Sequence, residues 1–265
     1  MSQKKNICTK LLEDLYVAKK MSSTEISKFL QNQGEDIKPW IVSRRLKELG
    51  MTRNMSQALL VKDFRKPTLK LSGKEIEALD GFLLGDGHIQ RRSSRSGRLS
   101  LTVQHAEFGN YLLSHFNRYS PKGRQRYISS KRYQKTLSQW SGETKSDRCF
   151  LDQRNRWYPQ NVKRIPKDVH LTPLSMLLWY LGDGHYVPRD GCIFLNTQSF
   201  IIEDVKFLCS KLNDIGVDCH RDKRNKIYIG AKSAHLFLSL LADNPVQCYQ
   251  YKFRALESSA TLVDG

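Results

Sequence analysis

Two aspartates, Asp86 and Asp183, stand in the same setting 97 residues apart. The first closes the run Leu79-Asp80-Gly81-Phe82-Leu83-Leu84-Gly85-Asp86-Gly87 and is followed by His88; the second closes Leu177-Leu178-Trp179-Tyr180-Leu181-Gly182-Asp183-Gly184-His185. Each run reads as a buried helix ending on one carboxylate between two glycines, the second glycine suiting a left-handed turn at the helix C-terminus. A carboxylate behind so much apolar surface is costly unless a metal ion or a partner compensates it. One copy would be a core helix with an ordinary capping turn. Two copies, both ending Gly-Asp-Gly-His, point to a paired site.

These segments resemble the LAGLIDADG motif of homing endonucleases, in the single-chain form that carries two motifs. The resemblance extends over residues 72 to 253. It includes Ile165-Pro166 through Leu171-Thr172-Pro173-Leu174 ahead of the second motif, Asn196-Thr197-Gln198-Ser199-Phe200, and Tyr251-Lys252. It implies an α+β fold in which an αββαββα half is duplicated about a pseudo-two-fold axis. The two motif helices would pack at the centre and the two sheets would form a saddle over double-stranded DNA. Close helix packing needs small residues, and Gly81, Gly85 and Gly182 are there to supply them; Leu178 stands where the family often has a small residue.

The chemistry implied is hydrolysis of DNA phosphodiesters. Charge builds on the attacking and leaving oxygens, and divalent metal held by carboxylates stabilises both. Magnesium keeps most of its waters and needs only one or two carboxylates, so one Asp per half suffices, and manganese would substitute. By resemblance Asp86 and Asp183 are metal ligands, helped by the carbonyls of Gly85 and Gly182. Gln104 and Gln198 resemble water-positioning residues, against the plain reading of surface glutamines on strands. Lys145 and Lys232, each in a Lys-Ser pair before a helix, resemble basic residues that steady developing phosphate charge. His88 and His185 read as orienting or structural.

The elements that must hold these groups repeat in order. Ser72 and Glu75 form a capping box that opens the first motif helix. In the first half Leu99 to Gln104 alternates like a strand and Tyr111 to Phe116 reads as a helix. In the second, Cys192 to Gln198 is strand-like, Glu203 to Leu212 helical and Lys226 to Gly230 a strand. An internal duplication follows. Basic residues gather on the strands and turns: Arg91, Arg92, Arg95 and Arg98 in one turn, Arg124, Arg126, Lys131 and Arg132 in strand-like sequence, and Arg221, Lys223 and Arg224 in the second half. A charge run is usually a solvated face; on strands it can follow a groove, which favours DNA contact here.

Residues 1–66 precede the resemblance. Leu11, Leu12, Leu15 and Tyr16 give a helix over residues 6 to 19, Ser22-Ser23-Thr24-Glu25 caps a second, and Pro39 opens a third that stops at Gly50. Three short helices with a basic third resemble a helix-turn-helix, with Ser43, Arg44 and Lys47 facing the major groove. The stretch from Gln31 to Lys38 is longer than the usual tight turn, and a cap packed on the main domain is the plainer alternative. Residues 51 to 71 read as an extended linker. The division expected is 1–66 for this module, 67–154 for the first half and 155–265 for the second.

The balance of the 265 residues agrees: 44 Lys and Arg against 26 Asp and Glu give a net charge of +18. Such a field seeks polyanions, nucleic acid first. No apolar run reaches the ~18 residues of a spanning helix, and the N-terminus lacks a signal-peptide core, so a soluble intracellular protein is expected. The six cysteines show no zinc spacing and read as free thiols. The reading is a monomeric, magnesium-dependent, site-specific DNA endonuclease that cuts across a minor groove to leave short 3′ overhangs, in a mobile intron or intein setting. The rivals are a maturase acting on its own intron RNA, and a non-cleaving helix-turn-helix regulator on the same scaffold.

Overall fold

Two compact units, Met1–Pro67 and Thr68–Gly265, divide the chain in a computed structural model that describes residues 7–55, 57–58, 61, 69–130 and 135–254. In the smaller unit, α1 (Thr9–Leu12) runs into a π turn (Glu13–Ala18) that extends the helix expected there. Ser22 and Glu25 close the capping box of α2 (Ser23–Asn32), and Pro39 opens α3 (Pro39–Glu48). Leu12, Leu15, Ile26, Leu30, Val42 and Leu46 form its core. The long connection is pinned by buried Ile37, whose carbonyl accepts a hydrogen bond from Ser27 Oγ. Beyond it the expected extended linker differs: Asn54 and Gln57 cap one another's backbone N–H, both at 2.9 Å, and Met55, Gln57, Ala58 and Val61 are helical. Lys62, Arg65 and Lys66 lie outside the described residues.

The larger unit is two halves of one pattern. The first runs α4 (Gly73–Leu84), β1 (His88–Arg91), β2 (Gly97–Val103), α5 (Ala106–Ser114), β3 (Lys122–Ser130), β4 (Lys135–Glu143) and α6 (Arg148–Trp157). The second runs α7 (Pro173–Asp183), β5 (Gly184–Val187), β6 (Cys192–Leu195), α8 (Ile202–Asp214), β7 (Cys219–Arg221), β8 (Ile227–Ile229) and α9 (Ala231–Ser239). Both sheets are antiparallel, with strand orders β1-β2-β4-β3 and β5-β6-β8-β7. The expected αββαββα duplication is what the chain forms.

Alternation along the strands sets which face meets the helices. In β2, Leu99, Leu101 and Val103 are buried while Arg98, Ser100 and Thr102 face outward. In β6 and β8, Ile193, Leu195, Ile227 and Ile229 are fully buried. A single core joins both halves through α4 and α7. Those helices meet backbone to backbone at Gly81, where an added Cβ would lie 2.3 Å from the Ser175 carbonyl oxygen. Gly182 plays no such part: nothing lies within 4 Å of the place its Cβ would take. The expected glycine contact is therefore one-sided, and the corresponding register holds Ala78 and Leu178, both buried.

Two buried ion networks fasten the segment between the halves. Asp80 accepts from both Arg156 amino groups (2.6 and 3.0 Å) and from Trp157 Nε1 (3.0 Å), while Arg156 also holds Asp168. Asp204 accepts from Arg164 and from the Ile165 backbone N–H. Burial works to raise the Asp204 carboxyl, but these bonds outweigh it and hold it below the usual range.

Candidate active site

The glycine after each aspartate lets the chain fold tightly back on its own helix. A Cβ on Gly87 would lie 2.3 Å from the Phe82 carbonyl oxygen, and one on Gly184 would lie 2.0 Å from the Tyr180 ring. Neither takes the left-handed conformation expected of it; Gly184 has φ −82° and ψ 147°. Close approach, not chirality, requires glycine here. The turn leaves Asp86 exposed and Asp183 half-buried.

The ends of the paired helices bring the two carboxylates within reach of one another's charge. A Cβ on Gly85 would stand 3.7 Å from Asp183 Cγ. Burial first, then the charge of Asp86, pushes the Asp183 carboxyl up to about 7, against the opposing pull of Lys163 and Lys252. This pair therefore calls for a cation.

Those two lysines are the site residues that sequence reasoning missed. Lys163, from the segment between the halves, donates to the carbonyls of Gly85 (3.0 Å) and Gly87 (3.1 Å). Lys252 donates to the carbonyls of Leu181 (2.7 Å), Gly184 (2.8 Å) and Tyr180 (3.3 Å). Each ammonium thus caps the C-terminus of one motif helix, where the helix dipole favours positive charge. Burial lowers both lysines to about 8 while Asp183 and Asp86 oppose it. The only sequence hints were Ile165-Pro166 just after Lys163 and the pair Tyr251-Lys252.

Lys145 and Lys232 do not take that place. Lys145 precedes the N-cap of α6, Asp147, by two residues, whereas Lys232 follows the N-cap of α9, Gly230, by two. They are not two-fold counterparts; a Lys-Ser pair is too short to fix an alignment. Both are exposed. Gln104 and Gln198 do correspond. Each lies four residues past the strand partner of its half's histidine, Ser100 for His88 and Phe194 for His185. Gln104 sits just beyond β2, but Gln198 lies in a turn, because the strand ends at Leu195 and Asn196 N–H bonds the Asp183 carbonyl at 3.0 Å.

The histidines begin the open faces of the two sheets. His88 lies beside Tyr158, and burial with the charges of Arg154 and Lys163 lowers its pKa. On the first sheet Arg124 and Arg126 are exposed on edge strand β3, and Arg98 pairs with Glu143 at 2.6 Å. Register puts Arg91 on the side of Ile89, and Arg221 opposite buried Ile227, so these two belong to the helix-covered faces rather than the open ones. Arg92, Lys223 and Arg224 are exposed in turns and Arg95 is half-buried; Lys131 and Arg132 lie outside the described residues. In the smaller unit Ser43, Arg44 and Lys47 are exposed on α3, with Arg44 over the exposed Trp40 ring at 5.4 Å.

Among the described residues no three His, Cys, Asp or Glu side chains converge as a metal cluster. Two carboxylates with nearby backbone carbonyls suit a hard, largely hydrated cation such as magnesium rather than zinc. The Gly85 carbonyl already accepts a hydrogen bond from Lys163.

Residues 76–237 match the model of the LAGLIDADG DNA endonuclease family. The chain is 28% identical to the uncharacterized protein MJ1098 of Methanocaldococcus jannaschii, over 67% of this chain and 72% of that one. It is 26% identical to the probable intron-encoded endonuclease 1 of Wickerhamomyces canadensis, over 74% and 90%. With the cytochrome b mRNA maturase bI2 of Debaryomyces hansenii it shares 26% identity over 57% of this chain and 59% of that one. Among solved structures, the homing endonuclease I-WcaI bound to its DNA recognition sequence superposes with a TM-score of 0.64 at 23% identity, covering 78% of this chain and 96% of that one.

Proposed function

Because the chain belongs to the LAGLIDADG DNA endonuclease family, we propose that it is a site-specific, magnesium-dependent endonuclease. It cuts both strands of duplex DNA across a minor groove to leave short 3′ overhangs, acting as a monomer. The observation that carries this is the pairing of Asp86 with Asp183 at the ends of two packed helices, one carboxylate for each strand. Bound magnesium, with manganese as a substitute, would neutralise charge on the attacking and leaving oxygens. Asp86 and Asp183, with the carbonyls at Gly85 and Gly182, would hold it.

The chain's own groups supply the rest. Lys163 and Lys252 fix the turns that aim the aspartates and add positive charge beside the scissile phosphates. Gln104 and Gln198 position water at each strand. The open sheet faces hold the duplex, with Arg124 and Arg126 on phosphates, and Ser43, Arg44 and Lys47 extend contact into an adjacent major groove. The working division is 1–66, 67–154 and 155–265.

The test is incubation of the protein with magnesium and a duplex joining the DNA that flanks its reading frame. Expected is a double-strand break with a 3′ overhang; intact duplex at saturating protein would overturn the reading. Similarity to maturase bI2 favours a second reading, binding of its own intron RNA. Accelerated splicing without DNA cutting would establish that one instead.

A further inference from the structure

The two sheets carry the same row of four positions beside the aspartates, filled with opposite chemistry. In the first, strand pairing runs His88, Ser100, Glu143, Lys122 across β1, β2, β4 and β3. In the second it runs His185, Phe194, Tyr228, His220 across β5, β6, β8 and β7. Exposure follows the same course in both rows, with ends exposed and middle positions half-buried. Each row starts at the histidine that follows Gly-Asp-Gly. The first row is therefore hydrogen-bonding and charged, and the second is aromatic.

From Phe194 through Tyr228 to His220 the aromatic row is continuous. Phe194 and Tyr228 have ring centroids 5.3 Å apart, and His220 stands 5.1 Å from Tyr228. Lys226 lies over Phe194 with its ammonium 5.9 Å from the ring centroid, placing a cation at the edge of the aromatic strip. A base pair offers one apolar feature in the major groove, the thymine 5-methyl group.

Resting on the DNA-binding reading above, we propose that the Phe194–Tyr228 row reads thymine methyls in the half-site under the second sheet, while the matching row of the first sheet reads its half-site through hydrogen bonds. The two halves of the target are thus distinguished by the chemistry of recognition close to the cut.

The experiment selects bound duplexes from a randomised library with full-length protein in calcium, then replaces thymines by deoxyuridine, one half-site at a time. Removing a buried methyl should weaken binding about fourfold per thymine read, in one half-site only. Phe194→Ala and Tyr228→Ala should erase that sensitivity, while Phe194→Leu and Tyr228→Phe should retain it. Unaltered response to changes in the other half-site is the control for folding. Equal binding of thymine and deoxyuridine duplexes, or equal loss in both halves, overturns the inference and leaves the DNA-binding reading standing. Tighter row-dependent binding of single strands than duplex would instead make the row a stacking surface for unpaired bases, and also overturns it. If no duplex is selected, both readings fall together.

Discussion

At the site each aspartate is expected to be needed for cleavage and dispensable for binding. Asp86→Asn or Asp183→Asn keeps the shape but removes a cation ligand worth several kcal/mol of transition-state stabilisation. Cleavage should fall on the order of 10³-fold with gel-shift affinity nearly unchanged, and a nick is the expected residual product. The raised pKa of Asp183 gives a second, independent readout. Its folded value of about 7 lies above the ordinary aspartate value of 3.8, so the folded state holds a proton the unfolded chain has given up. The contribution of Asp183 to the stability of the metal-free protein should therefore be fully present below about pH 4 and be lost as pH rises through about 7. Asp183→Asn should remove that decline, raising stability above pH 7 by roughly 1–3 kcal/mol after solvent screening. Added magnesium should reverse the order. Magnesium affinity of the parent protein should climb about tenfold per pH unit up to about 7 and then level, as calorimetric titration would show.

At the level of elements, the paired helices α4 and α7 make opposite predictions for two glycines, one from each motif. Gly81→Ala drives a methyl into the Ser175 backbone and should cost ~1–3 kcal/mol in denaturant unfolding. Gly182→Ala faces open space and should be neutral or stabilise by up to ~1 kcal/mol through helix propensity. A shared penalty would mean that Gly182 also lies in a close contact. The elements were legible because local signals agreed with the global pattern: capping residues Ser72 and Glu75, the apolar run up to Leu84, and the alternation of Leu99 to Val103 all point the same way. Asp86 and Asp183 were legible for the same reason, since the motif is contiguous. Lys163 and Lys252 were not, because one reaches the site from an irregular segment and the other from a short 3-10 helix (Gln247–Phe253) outside the repeated pattern. Lys145 and Lys232 show the complementary case: a repeated dipeptide suggested equivalent positions, but relative to the helix N-caps the two are out of step.

For the whole molecule, the separate core of residues 7 to 51 predicts that the smaller unit can be removed without unfolding the larger one. A protein lacking residues 1 to 66 should still cut. If α3 lies in a neighbouring major groove, the truncated protein should protect a shorter stretch of DNA on one side only. The salt dependence of its binding should also weaken, by roughly 0.9 in slope for each phosphate that the module no longer neutralises. Arg44→Ala with Lys47→Ala should reproduce part of the effect. Equal footprints for the two proteins would assign the module to stability alone.

The two capping ammoniums also differ in when they are made. Protein synthesis is vectorial, and Lys163 leaves the ribosome before any helix or strand of the second half. The turn that carries Asp86 can therefore be secured as soon as the first half folds. Lys252 follows every α-helix and strand of its own half and lies in the 3-10 helix Gln247–Phe253, so the turn that carries Asp183 waits until the chain has been read past that residue. Until then a nascent chain holds one finished carboxylate turn and one unfinished. In the proposed endonuclease the carboxylate turn of the second half is thereby completed after that of the first.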